Sequence, residues 1–190
     1  MLFRLVTTAL ALCPKGIYGK AFNSLVGPYI AYTEQFSLCD PDPNHPIAWK
    51  WYLRSTHFNP FKPKELQLVT GNITGLIDIG DDYGGVAILD IRSNNQWKEN
   101  AFVFSYKKNV CRAIRDNIPG FTSVFFKIKP TGPCIFKRGF YEVNNAPIDW
   151  TFPNVPVMPY GHYRFKLMMS KAGQYDTCYV AECRIIPKLE

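Results

Sequence analysis

Residues 161–186 read GHYRFKLMMSKAGQYDTCYVAECRII, and their alternation decides the fold class. Over 163–169, Tyr163, Phe165, Leu167 and Met169 share one parity, and Arg164 and Lys166 take the other. A period of two marks a strand with one buried face. Lys171-Ala172-Gly173-Gln174 then supplies a glycine turn, and 175–186 returns as the next strand. Upstream, CIFKRGFYEV, starting at Cys134, adds a strand over 139–143. These three strands are expected to form one wall of a β structure.

The rest of the chain fits that reading. Residues 29–38 alternate, with Ile30, Tyr32, Phe36 and Leu38 expected on one face. Trp49 and Trp51 share a face of a short strand over 47–53. A strand begins at Leu66 and Leu68, and a separate one is expected over 73–79, with Ile73, Ile77 and Ile79 together. Further strands are expected at 86–91 and 101–106. Between 107 and 117 the period changes: Val110, Cys111 and Ile114 predict one short helix, closed by Asn117-Ile118-Pro119-Gly120. Residues 124–128 fit either a helical turn or a strand. With 15 Pro and 13 Gly spread through 190 residues, the chain reads as a turn-rich, all-β single domain.

The N-terminal 19 residues resemble a secretory signal. Arg4 precedes an apolar run over 5–12 that is too short to span a bilayer. Cleavage fits after Ala11 or after Gly19, leaving 20–190 as the mature domain; a buried N-terminal strand is the competing reading. The full chain carries +7. The segment removes only Arg4 and Lys15, so the remainder stays basic. Lys107-Lys108 and Lys127 with Lys129 are short, solvated pairs, without the interleaved aromatics of a nucleic-acid surface. No second segment is long enough for a transmembrane helix.

Asn72-Ile73-Thr74 is a glycosylation sequon, which in a secreted chain places Asn72 on the surface. Cys13 would leave with a signal cut at Gly19, and five cysteines would remain. Two bridges and one free thiol is the simplest arithmetic, with Cys183 expected as a buried thiol and an intermolecular bridge as the alternative. A Cys39 to Cys178 bridge would clamp the first strand to the last, and Cys111 to Cys134 would tie the helix to the opening strand. Cys183, five residues from Cys178, falls on the other strand face. No C-x-x-C or paired-His spacing suggests zinc. Asp81-Asp82-Tyr83-Gly84-Gly85 offers too few oxygen ligands for calcium and reads as a charged hairpin turn. His45, His57 and His162 stand at turns or strand edges, outside any nucleophile or zinc motif, and are expected in surface or turn roles rather than catalysis. The residues therefore point to no catalytic machinery, cofactor or metal. The segment 150–160, WTFPNVPVMPY, is a loop by its prolines yet mostly apolar. It either folds over the core or lines the mouth of a cavity.

Taken together, the segment starting at Cys134, Gly161-His162-Tyr163-Arg164, the closing Asp176-Thr177-Cys178-Tyr179-Val180-Ala181, and Gly71-Asn72-Ile73-Thr74 resemble the ganglioside activator family. The insect CheB-type chemosensory relatives are closer in style. The likeness covers about 29 to 187 in order, by pattern alone between 75 and 106. It implies a two-sheet β-cup, an open β-sandwich around an apolar cavity with one short helix, and the pairs Cys39–Cys178 and Cys111–Cys134. The family's two further bridges have no partners here, and Ile135 replaces the proline after the cysteine. The resemblance thus carries lipid binding better than ganglioside specificity.

The expectation is a secreted, glycosylated lipid carrier, with a lysosomal location also compatible. It would hold acyl chains of a glycolipid, a phospholipid or a hydrophobic semiochemical. Strand parity and the apolar loop nominate Phe102, Phe104, Phe152, Val157, Met158, Phe165, Leu167 and Met169 as its lining. Transient membrane-surface contact and a hydrolase or receptor partner belong to that expectation; nucleic acid does not. The competing classes are a secreted signalling or adhesion sandwich without a lipid cavity, and an extracellular hydrolase.

Overall fold

The computed structural model describes residues 25–40 and 46–188. The candidate signal segment, Cys13 and His45 lie outside them. The chain forms β1 (Val26–Gly27), β2 (Tyr29–Leu38), β3 (Trp49–Ser55), β4 (Gln67–Gly75), β5 (Gly84–Ser93) and β6 (Gln96–Tyr106). Two helices follow, α1 (Val110–Asn117) and α2 (Pro119–Phe126). The chain closes with β7 (Gly139–Ile148), β8 (Met158–Pro159), β9 (Gly161–Lys171) and β10 (Gln174–Pro187). A five-stranded sheet runs β2-β10-β9-β5-β6, and a three-stranded sheet runs β3-β4-β7. β1 and β8 make a small ribbon. All pairs are antiparallel. The fold is all-β with two opposed sheets.

The hairpin at 171–174 is as expected: Lys171 pairs with Gln174, and Ala172 and Gly173 both take positive φ, 51° and 84°. Such turns match the right-handed twist of the flanking strands. Along β9, Tyr163 and Met169 are fully buried. The expectation that β7 shares this sheet is wrong. β7 pairs with β4, on the opposite wall. Its inward Tyr141 stacks with Trp49 at 6.3 Å between centroids.

Three other expectations change. The strands begun at 66 and expected at 73–79 are one strand, β4; Ile79 lies beyond it and bridges to Phe136. On β2 the register skips Glu34, since Thr33 pairs with Cys183 and Gln35 with Glu182. This bulge reverses parity midway. Tyr29 and Ala31 therefore pack in one apolar cluster and Phe36 and Leu38 against another, while Tyr32 stacks on Phe58 at 4.2 Å. Finally, the described residues form two helices. Pro119 does not end the helical region; it opens α2 at the first turn, where its missing N–H is no loss. Residues 124–126 complete that helix.

Both bridges form as the cysteine positions suggest, Cys39–Cys178 and Cys111–Cys134. Cys183 is free and buried. Within the acidic 81–85 segment, residues 81–83 belong to the crossover between sheets rather than to a hairpin turn, and Gly84 and Gly85 open β5. Its carboxylates are held by cations: Asp81 accepts from Arg112 at 2.6 Å and Asp82 pairs with Lys171.

A partly open apolar cavity

The five-stranded sheet is wider than the three-stranded one. The two helices and the 150–158 loop cover part of the surplus, and a cavity of about 270 Å³ remains beneath them. This is just below the roughly 300–1,000 Å³ usual for small-molecule sites. β2, β5, β6, β9 and β10 supply one wall. Trp51 of β3, α1, α2 and the loop supply the other. Phe104, half-exposed on the edge strand β6, stands at the rim.

Five of the nominated residues line this cavity: Phe104, Phe152, Met158, Phe165 and Leu167. Phe152 and Phe165 lie against each other, 5.8 Å between centroids. Phe102 does not reach it. It shares the inward parity of Phe104 but sits two residues nearer the β5–β6 hairpin and is 41% exposed. Val157 points outward at 49% exposure, and Val155 takes its place. Met169 is fully buried in the solid core, because helix α1 closes that end of the sheet. The apolar loop does both things open to it from its composition: Met158 joins the core, and Trp150, Phe152 and Val155 face the cavity.

Sequence reasoning missed the aromatic end of the cavity. There Trp51 stacks on Phe121 at 5.5 Å and on Tyr179 at 4.9 Å, and Phe36 lies 5.8 Å from Trp150. Tyr179 shares inward parity with Ala181, Cys183 and Ile185 on β10, a signal that was present but unused. Burial drives the Tyr179 phenol well above its ordinary pKa. The Cys183 thiol is pushed up by burial first and by Glu34 and Glu182 next. Both therefore stay neutral at physiological pH, and Cys183 is not a nucleophile in this state.

His162 corrects a further expectation, since it is 7% exposed and within β9 rather than at the surface or in a turn; His57 is exposed. His162 Nε2 lies 3.1 Å from Glu34 and 3.4 Å from Glu182, on the outer face of the large sheet. The three side chains bring ligand atoms within 4.8 Å of one another. Arg184 already binds Glu34 at 3.0 Å, and Arg92 adds positive charge, an unfavourable field for a metal cation.

Asn72 sits on the outer face of the small sheet, paired across with exposed Tyr52 and with Glu142. Among the described residues, no helix is long and apolar enough to cross a membrane. The two bridges fit an oxidising compartment. Compared with known proteins, the chain matches no family model and no curated sequence.

Proposed function

We propose that this protein is a secreted carrier that holds the apolar part of a lipid or long-chain hydrophobic ligand between its two sheets. One observation carries the reading: the cavity is lined almost wholly by aromatic and aliphatic side chains and reaches the surface beside Phe104. An apolar chain entering it leaves water, with a gain of about 0.8 kcal/mol per buried methylene. The protein supplies no bond-making group in this account; it sequesters. The resemblance to the ganglioside activator and CheB-type proteins supports the same reading, as does the apolar 150–158 loop. Presentation of the ligand to a hydrolase or a receptor is the natural outcome of such sequestration, with brief contact at a membrane surface when the ligand is a lipid.

Secretion and glycosylation at Asn72 are part of the proposal. Asn72→Gln should remove a glycan mass from the secreted protein, and an unchanged mass would remove that part. The carrier reading is tested by native mass spectrometry of the secreted protein with solvent extraction, followed by uptake of a fluorescent fatty acyl lipid. Co-purifying lipid, or saturable uptake, supports it. A protein that arrives empty and takes up nothing is instead a filled sandwich of the signalling or adhesion kind.

A further inference from the structure

A sheet edge presents a row of unpaired backbone N–H and C=O groups, and proteins normally block it. The two main sheets have four edges, and three are blocked. On β2 the Gln67 side-chain amide takes the place of a next strand: it accepts from the Thr33 N–H at 2.7 Å and donates to the Thr33 carbonyl at 2.9 Å. β3 faces β2, with Ser55 Oγ accepting from Thr33 Oγ1 at 2.9 Å. β7 carries Pro147 and breaks its register around Asn145, whose φ is 50°. The fourth edge is β6, at the end of the five-stranded sheet, and no described strand pairs with its far side. The first half of β6 is irregular, because Asn100 takes φ 56° and the register with β5 shifts there. Beyond that bulge, Phe102 to Tyr106 pairs without a break against Leu89 to Gly85. This five-residue run holds no charge, proline or glycine. Phe102, Val103 and Phe104 are 41%, 54% and 49% exposed, so both faces of the strand lie open.

The run is complementary to itself. A two-fold axis normal to the sheet keeps both inner faces on one side, so an antiparallel pairing of two β6 strands must centre on a residue and not between two. Phe104 is the middle of the run. Centred there, Phe104 meets its own copy, and Phe102 meets the partner's Tyr106 on each side of the axis. On the outer face Val103 meets the partner's Ser105. Directly opposed aromatic pairs of this kind are favourable in antiparallel sheets. The flanking charges agree. Lys98 and Glu99 precede the run, and Lys107 and Lys108 follow it. Antiparallel pairing brings the partner's Glu99, 74% exposed, to the end where exposed Lys107 stands.

We propose that a second copy of this chain docks on β6, making a two-fold dimer in which the two large sheets join into one. Phe104 and Tyr106 both line the cavity. The partner's Phe104 and Phe102 therefore stand against the mouth that the single chain leaves open, and the two mouths meet across the axis. The pairing itself does not depend on the carrier reading; only its effect on the mouth rests on that reading.

Sedimentation velocity of the mature protein, up to about 100 μM, should show a species of twice the monomer mass. The double variant Val103→Lys with Ser105→Lys sets lysine against lysine at two exposed outer positions, away from the cavity, and should weaken the dimer about a hundredfold. Cysteine cross-linking reads the register. Val103→Cys mixed with Ser105→Cys should link under mild oxidation about ten times faster than either alone, because only the mixture sets two thiols directly opposite. A wild-type monomer throughout this range overturns the proposal. So does a dimer that the double lysine variant leaves intact, or cross-linking at equal rates in all three samples. Should the lysine variant not fold, the cross-linking rates decide. None of these readouts uses a ligand, so a protein that dimerises but takes up no lipid loses the carrier reading and keeps the dimer.

Discussion

Removing the Cys39–Cys178 bridge by a double change to alanine should cost more stability than removing any other single covalent or side-chain link. The bridge spans 139 residues of sequence, whereas Cys111–Cys134 spans 23. In the chain-entropy account, closing the longer loop restricts the unfolded chain by about 5 kcal/mol, and the shorter by about 3 kcal/mol. The native consequences differ too. Cys39 follows the last residue of β2, so the bridge anchors that edge strand beyond its final ladder pair, Leu38 with Tyr179. A domain of this size is stable by only about 5–15 kcal/mol, so a 5 kcal/mol loss brings the protein near the unfolding threshold. Urea denaturation at fixed pH reads the effect directly. At a slope of about 2 kcal/mol/M, the midpoint should fall by about 2.5 M for Cys39→Ala with Cys178→Ala, and by about 1.5 M for Cys111→Ala with Cys134→Ala. A reversed order, or a loss below about 1 kcal/mol for the long-range pair, would refute the reasoning and mean that the unfolded chain is already compact around that bridge.

Cys183 should be silent to thiol reagents in the native protein and give one labelled cysteine in the denatured, unreduced mature protein. No label after denaturation would sink the two-bridge scheme. Gly75→Ala should destabilise by about 1–3 kcal/mol in thermal or urea unfolding. The new methyl would stand 2.4 Å from the indole of buried Trp49, directly across the strand pair; a neutral result would mean that Trp49 can move. Burial and then the charge of Arg184, together with Arg92, hold His162 below its ordinary 6.5, against Glu34 and Glu182. Trp97 covers its ring, 5.0 Å between centroids. Unfolding returns the group to its ordinary value, so the unfolded chain binds more protons as pH falls through 6.5. Stability from neutral His162 is thus complete above that pH and is lost below it. His162→Gln should flatten the stability profile between about pH 7 and about pH 5; an unchanged slope assigns the acid sensitivity elsewhere.

How far the chain can be read depends on the range of the interaction. β9 and β10 were legible because a local alternation and a local turn specify them. The cysteine pairs were legible because position along the chain limits which ends can meet. α2 was half-legible: its sequence, PGFTSVFF, is apolar on nearly every side, so no period separates helix from strand. The parity of β2 was misread at one residue, Glu34, because a bulge is set by the partner strand. The same applies to β7, whose strand character is local but whose sheet is not.

The sequence alone determined that this is a β protein, with nine stretches that read as strands, closed by two bridges and carrying one buried thiol. Those properties follow from side-chain period, turn chemistry and cysteine count. The tertiary structure decided which wall each strand joins, that α1 and α2 cover a sheet too wide for its partner, and that a cavity remains between them. It also decided that Trp150 Nε1 and the Tyr179 hydroxyl, in residues of that cavity's wall, are buried and unpaired. A cavity is space that packing leaves unfilled, and an orphaned donor is a partner that packing fails to supply. Neither is a property of any residue by itself, so neither is written in the order of the residues.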